Sequence, residues 1–338
     1  LLQSLLLKPG KIIIRETKTP DPSKGQLLIK VKAALTCGTD LKAFLRGHPV
    51  IPMPGPFGHE FSGVVAKAGK GVRRFKEGDE IMAVHSAPCL KCRYCKKKLY
   101  NLCENIMESK ILGAFSEYIL LPSHIVKQNV FHKPAKLSFE EAALLEPLSC
   151  VVHGIEPLDI KKGDTALVIG AGPIGLIHLM LLKEKGAVTA VSDISKGRLA
   201  TAKKLGADTA LKPEKIEKTV KDLTGGIGFD YIFECTGRPE VWESAVWYLR
   251  RGGTLVLFGG CPKGSKVTYD TYRLHYDEIT LKGSFHFTPQ DVKKAYELLR
   301  SRRLRTSGLI SGSFPLKHIE KAFNRLTKGR GIKYAIIP

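Results

Sequence analysis

The sequence predicts an α/β protein of two domains, a β-rich barrel-like domain and a doubly wound parallel sheet. Three observations carry this prediction. Residues 1–154 read mostly as short alternating strands and turns. From about residue 155 strands alternate with helical runs, with strands expected near 165–169, 188–192, 208–211, 229–234, 254–258 and 279–283. Between the first of these strands and an apolar helical run stands Gly170-Ala171-Gly172-Pro173-Ile174-Gly175, a G-x-G-x-x-G turn where a dinucleotide-binding unit requires one.

In the first part, LLIKVKAAL at 27–35 alternates as a half-buried strand, and 61–68 and 79–84 are further strands bounded by glycine. IPMPGPFG at 51–58 is a loop. Ser138 and Glu141 form a capping box that starts a helix, and its far end is expected to turn Glu146 inward. After Gly283 the pattern gives a helix over 289–300, a strand near 309–314, a helix over 316–326 and a last strand over 334–337.

Each glycine of the turn has a separate task. Gly170 permits the tight turn, Gly172 lets a pyrophosphate approach the backbone, and Gly175 lets helix and strand pack closely. The helix N-terminus then offers free N–H groups to the phosphates. Asp193 ends the second strand, 18 residues after Gly175, where such a fold places the acid for the adenosine ribose. A carboxylate there repels a 2′-phosphate and favours NAD over NADP. Asp193 also suits a helix cap. Arg198 is placed to stack on adenine or to hold a 2′-phosphate.

The 338 residues allow two domains, and 43% hydrophobic with 25% charged residues is ordinary for a soluble enzyme. Residues 165–182 lack Lys, Arg, Asp and Glu, but three glycines, Pro173 and His178 argue against a membrane span. The first residues do not read as a signal peptide, so a cytoplasmic location is expected. A net charge of +22 attracts anions in general, nucleic acid and phosphorylated substrates included. Scattered Lys and Arg equally describe a solvated surface, with richer patches at 91–98 and 300–305.

Cys89, Cys92, Cys95 and Cys103 form C-x2-C-x2-C-x7-C. Four thiolates at this spacing suit a closed, structural zinc site, with an iron–sulfur cluster as the rival. Lys91, Arg93 and Lys96 favour thiolate formation electrostatically. Cys37 in TCGTD and His59-Glu60 in GHEFSG offer thiolate, imidazole and carboxylate, a set typical of zinc that keeps a position open. Glu146, after an apolar run and before Pro147, is a further candidate; a solvated helix-end glutamate is the alternative. Cys150, Cys235 and Cys261 read as buried and inert.

CGTD, GHEFSG, the four-cysteine lobe, EPL and GAGPIG occur in the order seen in zinc-dependent medium-chain alcohol dehydrogenases. Glu60 after His59 and the EPL at Glu146 resemble the polyol (sorbitol-type) and threonine dehydrogenase branch. The resemblance implies a GroES-like catalytic domain, 1–154 with 289–338 returning to it, around a Rossmann NAD-binding domain at 155–288. It implies two zinc ions per chain, NAD, and homodimers or homotetramers joined through the Rossmann sheets. The catalytic zinc would take Cys37 and His59, with Glu60 and Glu146 as direct or exchangeable ligands. Two carboxylates and a thiolate would leave the site net negative. Thr39 matches the hydroxyl that takes the substrate proton. Cys235-Thr236-Gly237 and Phe258-Gly259 match turns lining the cofactor cleft, and Ser284-Phe285-His286-Phe287 stands where sorbitol-type enzymes carry aromatic and basic pocket residues. Two departures stand out. Lys42 replaces a histidine common in relatives, and the segment between Cys103 and Gly113 is short.

The reaction implied is reversible hydride transfer between a secondary alcohol, a polyol or sugar alcohol, and NAD. Polyol phosphates or L-threonine are alternative substrates. A nucleic-acid-binding zinc protein is a more distant alternative, weakened because the lobe closed by C-x7-C offers no recognition helix.

Overall fold

Strand Leu27–Leu35 exposes Lys30 and Lys32 and buries the rest, the pattern of a central strand with one covered face. It pairs antiparallel with Glu60–Ala68, with Tyr118–Leu121 and with Lys333–Ile337. The sheet continues through Glu80–Ala83 to Val130–His132 on one side and to Ile310–Pro315 on the other. The computed structural model describes residues 1–304 and 306–338. They divide into two units: Leu1–Cys150 with His286–Arg302 and Leu309–Pro338, and Val151–Phe285 with Arg303–Gly308. Within the first, Phe57 packs edge-on to Phe115 at 5.0 Å and tilts on Phe323 at 5.6 Å. Phe323 lies on helix Ile319–Thr327, so the C-terminal segment closes the core that the N-terminal strands open.

The second unit holds a six-stranded, wholly parallel sheet. Its order is Thr209–Leu211, Val188–Ser192, Thr165–Ile169, Phe229–Glu234, Leu249–Leu257 and Thr280–Gly283. In chain order this is 3-2-1-4-5-6, the doubly wound arrangement expected. Leu167, Ala190, Ile232 and Leu255 are fully buried in its core.

Four local expectations are revised. The strand placed at 254–258 begins at Leu249, because buried Leu249 pairs with Phe229 and Gly252, at φ +67°, absorbs the register shift. The run 316–326 is a 3₁₀ turn, Leu316–His318, before the α-helix. The helix begun by Ser138 and Glu141 ends at Ala142, and a second helix, Leu145–Ile155, places Glu146 in its first turn. Pro147 therefore belongs to a helix start, where a missing N–H costs nothing, and Glu146 is not at a helix's far end. Cys150, Cys235 and Cys261 keep partial exposure rather than being fully buried, although burial pushes the Cys150 and Cys235 thiols well above their usual range.

No helix among the described residues is long and apolar enough to cross a membrane. In the basic patch at 300–305, Arg300 pairs with Glu297, Arg302 with Glu141 and Arg303 with Glu184; Arg305 lies outside the described residues.

Candidate metal and cofactor sites

Strand pairing assembles the first site. Leu35 is the register partner of Glu60. The chain that leaves Leu35 reaches Cys37 two residues later, and His59 immediately precedes Glu60. Cys37 is the N-cap residue of helix Gly38–Arg46, and Thr39 is half-buried in that helix's first turn. The ligand atoms of Cys37, His59 and Glu60 all lie within 4.8 Å of one another. Glu146 is buried but stands outside this triplet. Its Oε1 lies 3.4 Å from His85 Nδ1 and accepts the Cys150 thiol at 3.7 Å.

Asp40, fully buried, ties the triplet together. Its Oδ2 accepts the Cys37 backbone N–H at 3.3 Å and its Oδ1 lies 3.4 Å from His59 Nδ1. A carboxylate behind a ligand histidine fixes its ring and raises its basicity. Burial works against a charged His59, but Asp40 and Cys37 outweigh it and hold its pKa well above the usual value. Burial raises Glu60, opposed by the Lys333 ammonium, and pushes Glu146 up to about 7, opposed by His59. The Lys333 ammonium donates to Glu60 Oε1 at 2.8 Å and lies 2.6 Å from Oε2, outside hydrogen-bonding geometry for the latter.

These atoms fit a zinc ion. A thiol, an imidazole and a carboxylate converge, acidic groups raise the affinity of the spot for positive charge, and the buried Glu60 Oε2 has no hydrogen bond. Beside the triplet, His85 lies 5.1 Å from the His59 ring and edge-on to His286 at 5.4 Å. Burial, helped by His59 and His286, keeps His85 well below its usual pKa and therefore neutral. His286, at φ +63°, stacks on Phe287 and bonds Ser86 Oγ through Nε2 at 2.7 Å.

The four-cysteine lobe is equally preformed. Cys89 and Cys95 sulfurs stand 4.0 Å apart, and those of Cys92 and Cys103 3.9 Å. A tetrahedron with Zn–S bonds of about 2.3 Å has edges of about 3.8 Å. Backbone N–H groups point at the sulfurs: Cys89 to Cys103 at 3.3 Å, Cys92 to Cys89 at 3.4 Å, Cys95 to Cys92 at 3.5 Å. The Lys91 N–H, with the Cys92 N–H behind it, lowers the Cys89 pKa to about 6. The Lys91, Arg93 and Lys96 side chains credited from sequence are not among the leading causes for Cys89. Burial pushes Cys95 up to about 12, the state a metal would relieve.

In the second unit the expected cofactor turns each follow a parallel strand, with Arg198 on the helix Lys196–Lys204 beyond Asp193. Gly170 follows Thr165–Ile169, Asp193 follows Val188–Ser192, Cys235 follows Phe229–Glu234, Phe258 follows Leu249–Leu257 and Ser284 follows Thr280–Gly283. Their side chains and turns therefore share the carboxyl edge of one sheet. Gly170 has φ +102°, and a Cβ on Gly175 would meet Gly170 O at 1.8 Å. A Cβ on Gly172 would meet nothing within 4 Å, which leaves the open approach a pyrophosphate needs. Pro173 and Ile174 begin helix Pro173–Glu184. Asp193 Oδ2 accepts the Ala171 N–H at 2.7 Å, and Arg198 Nη1 lies 3.9 Å from the same oxygen. Thr236 and Gly237 are held by Glu234, which accepts their N–H groups at 2.7 and 3.2 Å. Phe258 meets His178 edge-on at 4.8 Å, Ser284 Oγ is buried without a hydrogen bond, and Phe285 is half exposed.

Sequence reasoning missed Asp40, His85, Glu234 and Lys333. Asp40 and Glu234 had a local signal, since CGTD and FECTG put each acid within three residues of a site residue. His85 and Lys333 had none, because both arrive through strand pairing.

A dinucleotide sheet and a separate thiolate–imidazole–carboxylate site define a metal-dependent pyridine-nucleotide dehydrogenase. The comparisons agree. Residues 23–132 match the alcohol dehydrogenase GroES-like domain, and residues 173–301 match the zinc-binding dehydrogenase domain. A sorbitol dehydrogenase of Halalkalibacterium halodurans is 30% identical, covering 97% of this chain and 96% of its own. A D-arabitol-phosphate dehydrogenase of Enterococcus avium is 32% identical, covering 95% and 92%. A zinc-binding dehydrogenase structure from Sinorhizobium meliloti bound to NADP is 28% identical with a TM-score of 0.88, covering 100% and 99%. An alcohol dehydrogenase structure from Escherichia coli complexed with NADH is 25% identical with a TM-score of 0.88 and the same coverage. The chain belongs to the zinc-dependent medium-chain alcohol dehydrogenase family and is an oxidoreductase.

Proposed function

We propose that the protein interconverts a secondary alcohol of a polyol and the corresponding ketone, with NAD as hydride carrier. The observation that carries this reading is the Cys37–His59–Glu60 triplet with buried Glu146 beside it, in a chain similar along its length to a sorbitol dehydrogenase. When bound, zinc supplies Lewis acidity toward the alcohol oxygen and the nicotinamide supplies a hydride acceptor. The chain's own residues hold and orient these groups. Cys37 and His59 anchor the metal, with Glu60 and Glu146 as its carboxylate partners, and Asp40 fixes the His59 ring. Thr39 receives the hydroxyl proton. Gly170–Gly175 cradles the pyrophosphate, with Asp193 at the ribose. Cys89, Cys92, Cys95 and Cys103 hold the structural zinc.

His85 and Ser86, with His286, offer hydrogen bonds to further hydroxyls, which suits a polyol, while the Lys110 ammonium, whose charge reaches His85, suits a phosphate. The phosphate reading rests on the net charge of +22 and the likeness to an arabitol-phosphate dehydrogenase. Assays of alcohols, polyols and polyol phosphates with NAD and with NADP separate the two. Turnover confined to phosphorylated substrates rejects the polyol reading, and no turnover of any alcohol rejects both. We further place the enzyme in the cytoplasm as a homodimer or homotetramer. Edge strand Thr280–Gly283 pairs on one side only among the described residues, which leaves an edge for a second copy.

A further inference from the structure

Lys333 is the only Lys or Arg among the described residues that is fully buried, at 1% exposure. Its place follows from the sheet. Strand Lys333–Ile337 lies antiparallel to Leu27–Leu35, with Ala335 opposite Leu35 and Ile336 opposite Ala34. Thr36 and Tyr334 exchange bonds beside it: the Thr36 N–H donates to Tyr334 O at 3.0 Å, and the Tyr334 N–H donates to Thr36 Oγ1 at 2.9 Å. The first residue of the last strand is thereby fixed next to Cys37 and Glu60, about 270 residues away along the chain.

The charge around the site makes this placement consequential. Cys37, Asp40, Glu60 and Glu146 gather four acidic groups, and a divalent ion offsets only two charges. A buried excess of negative charge is costly, and Lys333 brings a buried ammonium that reduces it. Its charge reaches Cys37 and Glu146 as well, but its direct contact is with Glu60, both carboxylate oxygens lying at 2.8 and 2.6 Å and only the first being hydrogen-bonded. Glu60 thus faces two cations, the ammonium and the metal, that compete for one carboxylate.

We propose that Lys333 is a positioning residue that restrains Glu60 from the catalytic metal, making Glu60 a ligand held in reserve rather than a permanent one. This rests on the reading of Cys37, His59 and Glu60 as the zinc site. Removing the ammonium frees the carboxylate to bind the metal fully. The site then holds zinc more tightly and serves its substrate less well, since a position otherwise open is filled. A lysine that merely stabilised the fold would have the opposite signature, because losing an ordinary outer partner weakens metal binding.

The test compares wild type, Lys333→Met, Lys333→Arg, Glu60→Gln and Glu60→Gln/Lys333→Met. Two measurements are made on the full-length protein: zinc release to a colorimetric chelator, and the visible spectrum after cobalt(II) replacement. The zinc absent from Cys37→Ala marks the catalytic fraction. Lys333→Met is expected to slow release of that fraction roughly ten-fold and to weaken the cobalt bands as coordination number rises, while Lys333→Arg stays near wild type. In the Glu60→Gln background, Lys333→Met is expected to change release little, because the lysine acts through that carboxylate. This pair removes both charges together and carries the test should Lys333→Met alone fail to fold. Release from Lys333→Met as fast as wild type or faster overturns the proposal. So does a Lys333→Met effect undiminished by Glu60→Gln. A wild type that takes up no ion dependent on Cys37 refutes the zinc-site reading itself and this inference with it.

Discussion

The carboxylate of Asp193 bridges two backbone N–H groups, from Ala171 in the glycine turn at 2.7 Å and from Ser195 at 2.8 Å. It therefore staples the phosphate turn to the end of the second strand. Ser195, not Asp193, is the N-cap of helix Lys196–Lys204. The sequence suited Asp193 to a ribose acid and in part to a helix cap; the cap falls to Ser195, and the bridge fixes the position of the Asp193 carboxylate.

Asp193→Ala is therefore expected to do two things. It removes like-charge repulsion against a 2′-phosphate, so the preference of kcat/KM for NAD over NADP should narrow. It also leaves two backbone donors without their acceptor, so stability should fall by about 1–3 kcal/mol. Steady-state kinetics with both cofactors and a urea titration read the two effects. Equal or better use of NADP by the wild type would defeat the NAD assignment.

The two metal sites should fail differently. Cys37→Ala is expected to lose one zinc of two and all turnover while keeping its melting temperature near wild type, since sheet pairing holds the Cys37 loop without the ion. Cys95→Ala removes a buried sulfur whose lobe has only a small apolar cluster of its own, Cys95, Cys103 and Ile106 at its centre. Loss of stability or assembly should come first there. Metal analysis with thermal melts decides it; iron with labile sulfide, or one zinc in loaded wild type, contradicts the assignment.

His178, in the second unit, gives a pH prediction of its own. It is fully buried on helix Pro173–Glu184, bonds Ile174 O through Nδ1 at 3.0 Å, and packs on Phe233 and Phe258. Burial lowers its pKa from 6.5 to about 4. Between these values the unfolded chain binds more protons than the folded one, so stability rises with pH. The contribution is complete above about 6.5 and is lost as pH falls toward 4, by on the order of 3 kcal/mol. His178→Leu should flatten the melting temperature across that window. An unchanged acid slope in the variant would show that other groups set it.

What was legible in the sequence was local. The glycine turn and the four-cysteine lobe are each specified within about 15 residues, by backbone conformation in one case and thiol spacing in the other. The strand–helix alternation reported the parallel sheet, because its buried central strands, such as Thr165–Ile169 and Val188–Ser192, are short and largely apolar. Cys37 and His59-Glu60 were visible as chemistry, but their meeting depended on the register that sets Leu35 against Glu60. Lys333 was invisible for the same reason. A lysine heading a C-terminal strand reads as solvated until pairing with Leu27–Leu35 buries it, and without it the charge of the site was read as too negative. The break at Ala142 was missed because Pro147 reads equally as a helix stop and as a first-turn residue.

Glu146 remains the sharpest test. Helix Leu145–Ile155 holds it in the first turn at 5% exposure, which excludes a solvated helix end, yet it lies outside the Cys37–His59–Glu60 triplet. Its carboxylate faces His85 and Cys150, and Cys150 one turn along presents its thiol to the same oxygen. In metal-free protein its pKa is raised from 4.5 to about 7 by burial, with Glu60 adding to the rise. The folded state then binds the proton more tightly than the unfolded state. Its contribution is full below about 4.5 and is lost as pH rises through about 7, so metal-free protein should weaken over that range. Glu146→Gln should flatten the slope, because the amide keeps the shape and cannot ionise. In loaded protein the same change removes a negative partner of the metal. Metal affinity or turnover is then expected to fall about 10–100-fold, with NAD binding unchanged because Gly170–Gly175 holds the phosphates. Thermal melts of stripped protein across pH, zinc retention and NAD titration of the variant read the three consequences. Full turnover and full zinc retention in Glu146→Gln would leave Cys37, His59 and Glu60 as the whole metal set and make Glu146 a partner of His85 alone.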